Sequence, residues 1–220
     1  LNKLISENEM VHTYYVNRYI DLGNTLFSCA TMNAHLDSLL AMVTPEMPAQ
    51  CARWGTTMAN WEAGVQALRD FIDARCVTTQ QGLVDCYDLE GPFNVEFRVE
   101  PPLSGKIRVN SEVLATYPFS GVYYGGIDTE MEGIAEPGWA FDHWETTNHV
   151  LLPTMTDSLV SFQFTTTDTI IAYFKPPIQY EVVLMTEPQN TATITFNGLQ
   201  YSSFPAVASV GEDIPIAVDV

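Results

Sequence analysis

The sequence predicts an α+β chain in which a small helical block is followed by tandem all-β sandwich repeats, the second of them truncated. Three observations predict it. The hydrophobic period changes from about 3.6 to 2 near residues 82–92. The β part matches itself at a fixed offset of 87 residues, the step from Pro101 to Pro188. All four cysteines, Cys29, Cys51, Cys76 and Cys86, lie in the first 86 residues.

Residues 1–88 form the helical block. Val11, Tyr14, Tyr15, Tyr19 and Leu22 recur at three- and four-residue steps, which predicts a first helix from Leu4 to Leu22. A second begins after Thr31 or Asn33, either of which can cap it, and carries Leu36, Leu39, Leu40 and Val43 until Pro45 interrupts it. A third runs from Met58 to Arg75 with Trp61, Val65, Leu68 and Ile72 on one face. Three helices with short connections predict a small bundle.

Residues 89–176 form the first β repeat. Val95, Phe97 and Val99 alternate with Glu96, Arg98 and Glu100, and Ile127, Thr129 and Met131 alternate with Asp128, Glu130 and Glu132. Ile107–Val109, Val160–Phe164 and Ile170–Phe174 read likewise, as short antiparallel strands separated by turns. Residues 177–220 start a second copy. The offset carries Ile107 onto Ile194, Asn110 onto Asn197, Pro118 onto Pro205 and Ile127 onto Ile214. That copy stops at Val220, and half a sandwich is expected not to bury its inner face. The expectation is therefore that the natural protein continues beyond Val220, with Lys175-Pro176-Pro177 as a stiff linker between the copies.

Charge excludes whole function classes. Nine basic against 27 acidic residues give a net charge of −18, with no basic cluster, which argues against nucleic acid and against anionic membrane surfaces as partners. No apolar run approaches the ~20 residues that cross a bilayer. The chain opens on Leu1 without a basic and apolar leader, so a signal peptide is expected to have been removed or to lie upstream. Four cysteines in one block, with no C-x-x-C and no histidine at ligand spacing, fit two disulfides in an oxidising compartment. Cys76 with Cys86 is the expected pair, leaving Cys29 with Cys51. If helices two and three are antiparallel, Cys29 with Cys76 is the alternative.

Specific stretches of the helical block resemble the C-terminal part of the CotH family of secreted, atypical protein kinases. They are Val16-Asn17-Arg18-Tyr19-Ile20-Asp21-Leu22, Asn24-Thr25-Leu26-Phe27-Ser28, Pro45-Glu46-Met47, Arg53-Trp54-Gly55, Trp61 and Leu68-Arg69-Asp70-Phe71 through Ala74-Arg75. The resemblance implies a bacterial protein that is secreted or displayed at the cell surface, with a β-rich tail after the helices. It also implies that nucleotide-binding and catalytic acidic residues lie upstream, and none of residues 1–220 maps onto them. The tail, through Gly138-Trp139-Ala140-Phe141-Asp142-His143-Trp144, is similar to the Ig-like or internalin-type B-repeats of bacterial surface proteins. A sorting domain for type IX secretion beyond Val220 is compatible with this arrangement.

The chemistry-bearing constellations each have a structural competitor. Trp139, Phe141 and Trp144 are the candidate ligand-binding aromatics, a platform for sugar rings, and compete with a buried cluster closing the sandwich. Asp128, Glu130 and Glu132 on one strand face read as a solvated acidic face rather than a Ca²⁺ site, because alternate strand positions lie about 7 Å apart. His143 and His149, beside Asp142 and Glu145, invite a metal or acid/base reading without a second ligand pair to support it. Tyr123-Tyr124-Gly125-Gly126 reads as a hairpin. Arg53, Trp54 and Arg75 read as packing residues able to meet an upstream domain. No phosphate-binding or nucleophile motif occurs, so no catalytic, cofactor or metal residue is assigned. The function expected is a non-catalytic structural and interaction segment, with other extracellular proteins or neighbouring domains as partners and a glycan as candidate ligand. Two alternatives stand beside it: part of an active secreted CotH-type kinase, or a carbohydrate-binding module.

Overall fold

The computed structural model describes residues 2–176, 179–211 and 217–219, so the expectations that fall on Leu1, Pro177, Ile214 and Val220 lie outside the described residues. A helical block precedes β-sheets, and the chain is α+β. The first predicted helix divides at Asn8 into α1 (Asn2–Glu7) and α2 (Glu9–Asn24), because the Asn8 side chain accepts the Val11 N–H and caps the second. Next comes α3 (Cys29–Val43), capped by Ser28 through the Thr31 N–H rather than by Thr31 or Asn33. Pro45 ends it as expected, in a 3-10 turn over Thr44–Glu46, and a further short helix, α4 (Met47–Trp54), follows. The last, α5 (Met58–Tyr87), runs through Gly82 and ends only where Asp88 turns left-handed at φ 54°.

The inward face of α2 differs from the apolar stripe expected of it. Val16, Asn17, Ile20 and Asp21 are buried, whereas Tyr14 is exposed. Periodicity located the helix, and Tyr15 and Tyr19 pack partly buried against the core, but Tyr14 lies on the surface, as a long amphipathic side chain can.

The β part begins with β1 (Glu90–Glu100), β2 (Gly105–Val109), β3 (Glu112–Val113) and β4 (Phe119–Gly125). It continues with β5 (Thr129–Ala135), β6 (Ala140–Thr146), β7 (Leu159–Phe162) and β8 (Asp168–Lys175). Two four-stranded sheets form, in the orders β4-β1-β8-β6 and β3-β2-β5-β7. One expectation is corrected here: β1 and β8 pair in parallel, with Val95 opposite Asp168 and Val99 opposite Ala172, inside an otherwise antiparallel arrangement. Alternation identifies a strand but says nothing of its partner's direction. Phe97, Ile107, Met131, Trp144 and Ile170 fill the space between the sheets. They approach closely at Gly133, where a Cβ would fall 2.4 Å from the Phe141 ring. Val16, Ile20 and Leu83 belong to the same buried cluster, so helices and sheets share one core.

Beyond it lie β9 (Gln179–Leu184), β10 (Ile194–Phe196), β11 (Leu199–Tyr201), β12 (Ala206–Gly211) and β13 (Val218–Asp219). Their pairing repeats the first unit at the 87-residue offset. Val95 opposite Gly121 and Phe97 opposite Phe119 correspond to Val182 opposite Ala208 and Leu184 opposite Ala206. A turn recurs too. The Asn110 N–H donates to the Glu130 carbonyl while its Oδ1 accepts the Glu130 N–H, and Asn197 does the same with Ala217. Both asparagines have positive φ, 47° and 46°, a conformation this side chain tolerates.

The inner face of this second unit is not left open, contrary to expectation. Leu184, Ile194, Phe196, Phe204, Ala208 and Val210 are buried together, with Val182 packed against them. Two small sheets, β12-β9 and β11-β10-β13, suffice to cover six side chains when they close on each other.

Candidate functional site

The most densely bonded contact between helices and sheets is made by three polar residues of α2. Asn17, Asp21 and Asn24 stand four and three residues apart, which places them on one helical face. Asn17 Nδ2 donates to the Asp128 carbonyl at 2.8 Å. Asp21 accepts the Ser111 N–H at 3.0 Å, the Ser111 hydroxyl at 2.6 Å and the Asn110 side-chain amide at 3.3 Å. Burial pushes its carboxyl above the ordinary value, and the bonds from Ser111 and Asn110 pull the other way. Asn24 donates to the Val122 carbonyl and accepts the Val122 N–H, completing both backbone groups of a residue on edge strand β4. Gly121 makes this possible, since a Cβ there would fall 3.2 Å from the Asn24 side chain and 2.8 Å from the Tyr123 ring. Arg18, one residue along, pairs with Glu112 and donates to the Ser111 hydroxyl.

Beside this contact lies a cleft of about 860 Å³. Its floor is the outer face of β1 and β4, through Asn94, Glu96, Ser120 and Val122, and its walls come from α2, the start of α3 and the second half of α5. Phe27, Met32, Phe71 and Ile72 supply apolar surface, and Arg75 is the basic residue of its lining. Tyr124 also lines it, its phenol pushed up to about 12 by burial, so it stays protonated at neutral pH.

A disulfide forms one wall. Cys29 at the start of α3 is bonded to Cys76 of α5, their Cα atoms 6.0 Å apart, and Cys51 and Cys86 are free. The expected pairs Cys76–Cys86 and Cys29–Cys51 are corrected accordingly. Cys76 and Cys86 belong to one continuous helix, where ten residues span about 15 Å, far beyond a disulfide's reach. Cys51 is instead buried beside the Met58 sulfur, 3.9 Å away.

The candidate aromatics serve the core. Trp144 is 1% exposed, donates its indole N–H to the Asp157 carbonyl, and meets the Phe141 ring at a tilt with centroids 5.2 Å apart, while Phe141 meets Phe174 edge-on. A sugar ring cannot reach Trp144. Trp139 precedes β6 and is half-buried against the same cluster. The two histidines lie apart in role. His143 stacks on Tyr173 and holds Asp142, which also pairs with Lys175. The His149 side chain is buried, with Nδ1 facing Asp168, while its Nε2 accepts the Thr165 N–H at 3.0 Å. A ring that accepts at Nε2 carries its proton on Nδ1, and Asp168 receives it. Asp168 also takes the Thr147, Asn148 and Thr169 N–H groups, so the pair braces a turn.

Glu130 and Glu132 are both bonded to Arg108, and Asp128 accepts from Gln163. Among the described residues, no group of three potential ligands is placed to hold a metal. Tyr123 and Tyr124 lie within β4 as buried strand residues and not in a hairpin turn. Arg53 lies over the Trp54 ring at 5.5 Å, but Trp54 is 73% exposed, so this pair is a surface feature and not a packing one.

Sequence reasoning passed over Asn17, Asp21 and Asn24, although all three fall within the stretches that carried the resemblance. The signal available was their spacing, which puts three polar groups on the side of the helix that is buried. Together, the helical segment and the first sheets define an α+β unit whose helices are tied by one disulfide and whose helix–sheet contact is made by one polar helix face. Residues 1–78 of that unit match the family described as CotH kinase protein. No curated protein and no solved structure matches the chain.

Proposed function

We propose that this chain is the end of a kinase-like CotH domain fixed to extracellular β-modules, and that its own role is structural. The observation that carries this is the polar face of α2. Asn17, Asp21 and Asn24 lie in the segment similar to that family, yet every one of their partners belongs to the β part. A family segment bonded this way transmits position from one part of the protein to the next. The matched pairing registers and the two asparagine turns support reading the β part as tandem Ig-like repeats, spacer or adhesive modules whose partners are other surface proteins or neighbouring domains. The disulfide supports an oxidising, extracellular location, which is also the expectation for the family.

The second reading is that the segment belongs to a working secreted kinase and contributes to its fold, with the catalytic residues upstream. The match over residues 1–78 favours it. The carbohydrate-binding reading loses its main support with the burial of Trp144.

Native-state hydrogen exchange tests the structural role. The amides of α2 and of β4 should open with the same free energy, as one cooperative unit. If α2 opens well below the sheets, the joint is not rigid and the proposal fails.

A further inference from the structure

We propose that the cleft between α5 and the β1–β4 face binds a small organic carboxylate with an apolar body, its anionic group held by Arg75. Three observations converge on it. The first is size, for about 860 Å³ falls in the range of pockets that enclose small molecules. The second is the wall, where Phe27 and Phe71 line the cleft yet remain more than half exposed, leaving apolar surface that an apolar body would cover.

The third is charge. Of the nine lysines and arginines, eight hold a partner. Lys3, Arg18, Arg69, Arg98, Lys106, Arg108 and Lys175 are in ion pairs, and Arg53 lies over Trp54. Arg75 alone among the described residues has neither an ion pair nor a ring contact, in a protein with 27 acidic side chains. Arg75 lines the cleft and is exposed, and its guanidinium can give a carboxylate two parallel N–H bonds.

The other charged groups of the lining do not compete for that role. Glu96 is paired with Arg98, and Asp168 is filled by three backbone N–H groups and His149. A cationic ligand would therefore meet Arg75 and gain no free carboxylate. Asn94, Ser120 and Gln80 add neutral polar atoms around the rim and leave the preference for an anion unchanged.

Isothermal titration of the whole chain with decanoate, below its micelle concentration, tests the assignment, with decylamine as the charge-reversed probe. Decanoate should bind at one site and decylamine should not. Arg75→Gln should weaken decanoate by about tenfold or more, through loss of the charge-assisted bonds. Ser120→Trp, at an exposed strand position on the cleft floor, should abolish binding by filling the space. Circular dichroism confirms that both variants keep the fold, and Arg75 has no partner to lose. Absence of decanoate binding, equal binding of decylamine, or undiminished binding by Arg75→Gln each overturns the proposal.

Discussion

Asn24 serves Val122 as a neighbouring strand would: its Nδ2 donates to the Val122 carbonyl at 2.8 Å and its Oδ1 accepts the Val122 N–H at 2.7 Å. Because β4 is the edge of its sheet, these two groups would otherwise be open to pairing with another chain. Asn24→Ala removes both bonds in a partly buried setting and should cost about 1–3 kcal/mol in urea unfolding. The same variant should raise exchange of the Val122 amide. A change within experimental scatter would show that water replaces the side chain at no cost.

Asp21 gives stability a pH dependence of defined sign. Burial raises its folded carboxyl above the ordinary value of 3.8, so at pH values between the two the folded state holds more proton than the unfolded chain. Its contribution is fully present below pH 3.8 and is lost as pH rises through the folded value. The difference in melting temperature between the native chain and Asp21→Asn isolates this group from the other acids. That difference should move in favour of the native chain as pH falls from 7 towards 4. Movement in the opposite direction would mean that the bonds from Ser111 and Asn110 outweigh burial.

The cysteines can be told apart by reagent and by mass. Intact mass with alkylation should show one disulfide and two thiols, with Cys86 labelled in the native protein and Cys51 labelled only after unfolding. Replacing Cys29 and Cys76 by serine frees a span of 47 residues and should cost roughly 2–4 kcal/mol. Native labelling of Cys76 would refute the bond.

The His149–Asp168 pair is expected to be structural. Asp168→Ala leaves three backbone N–H groups and the imidazole without their acceptor, which should cost about 3–5 kcal/mol. His149→Ala should cost less, since only the Thr165 N–H and one carboxylate oxygen lose a partner. Equal costs would mean that the imidazole, and not the carboxylate, organises the turn.

Much of this was legible in order along the chain. Alternation at Val95–Val99 and Ile107–Val109 depends only on which side of a pleat a residue faces, so sequence alone located β1 and β2 and the inward direction of Phe97 and Ile107. The 87-residue offset likewise preserved local geometry, and Asn110 and Asn197 carry the same turn because the backbone conformation there favours asparagine. Pro45 ended α3 for a purely local reason, its missing N–H. What lies between distant segments was decided by the tertiary structure. The Cys29–Cys76 bond required α3 and α5 to come side by side, and the parallel pairing of β1 with β8 required the chain to cross between sheets. Asn17, Asp21 and Asn24 read as an ordinary polar face until Asp128, Ser111 and Val122 arrived to bond them, Asn17 through its Nδ2. Burying a polar side chain is costly unless partners replace its water, and the partners here stand about 90 to 110 residues away in sequence.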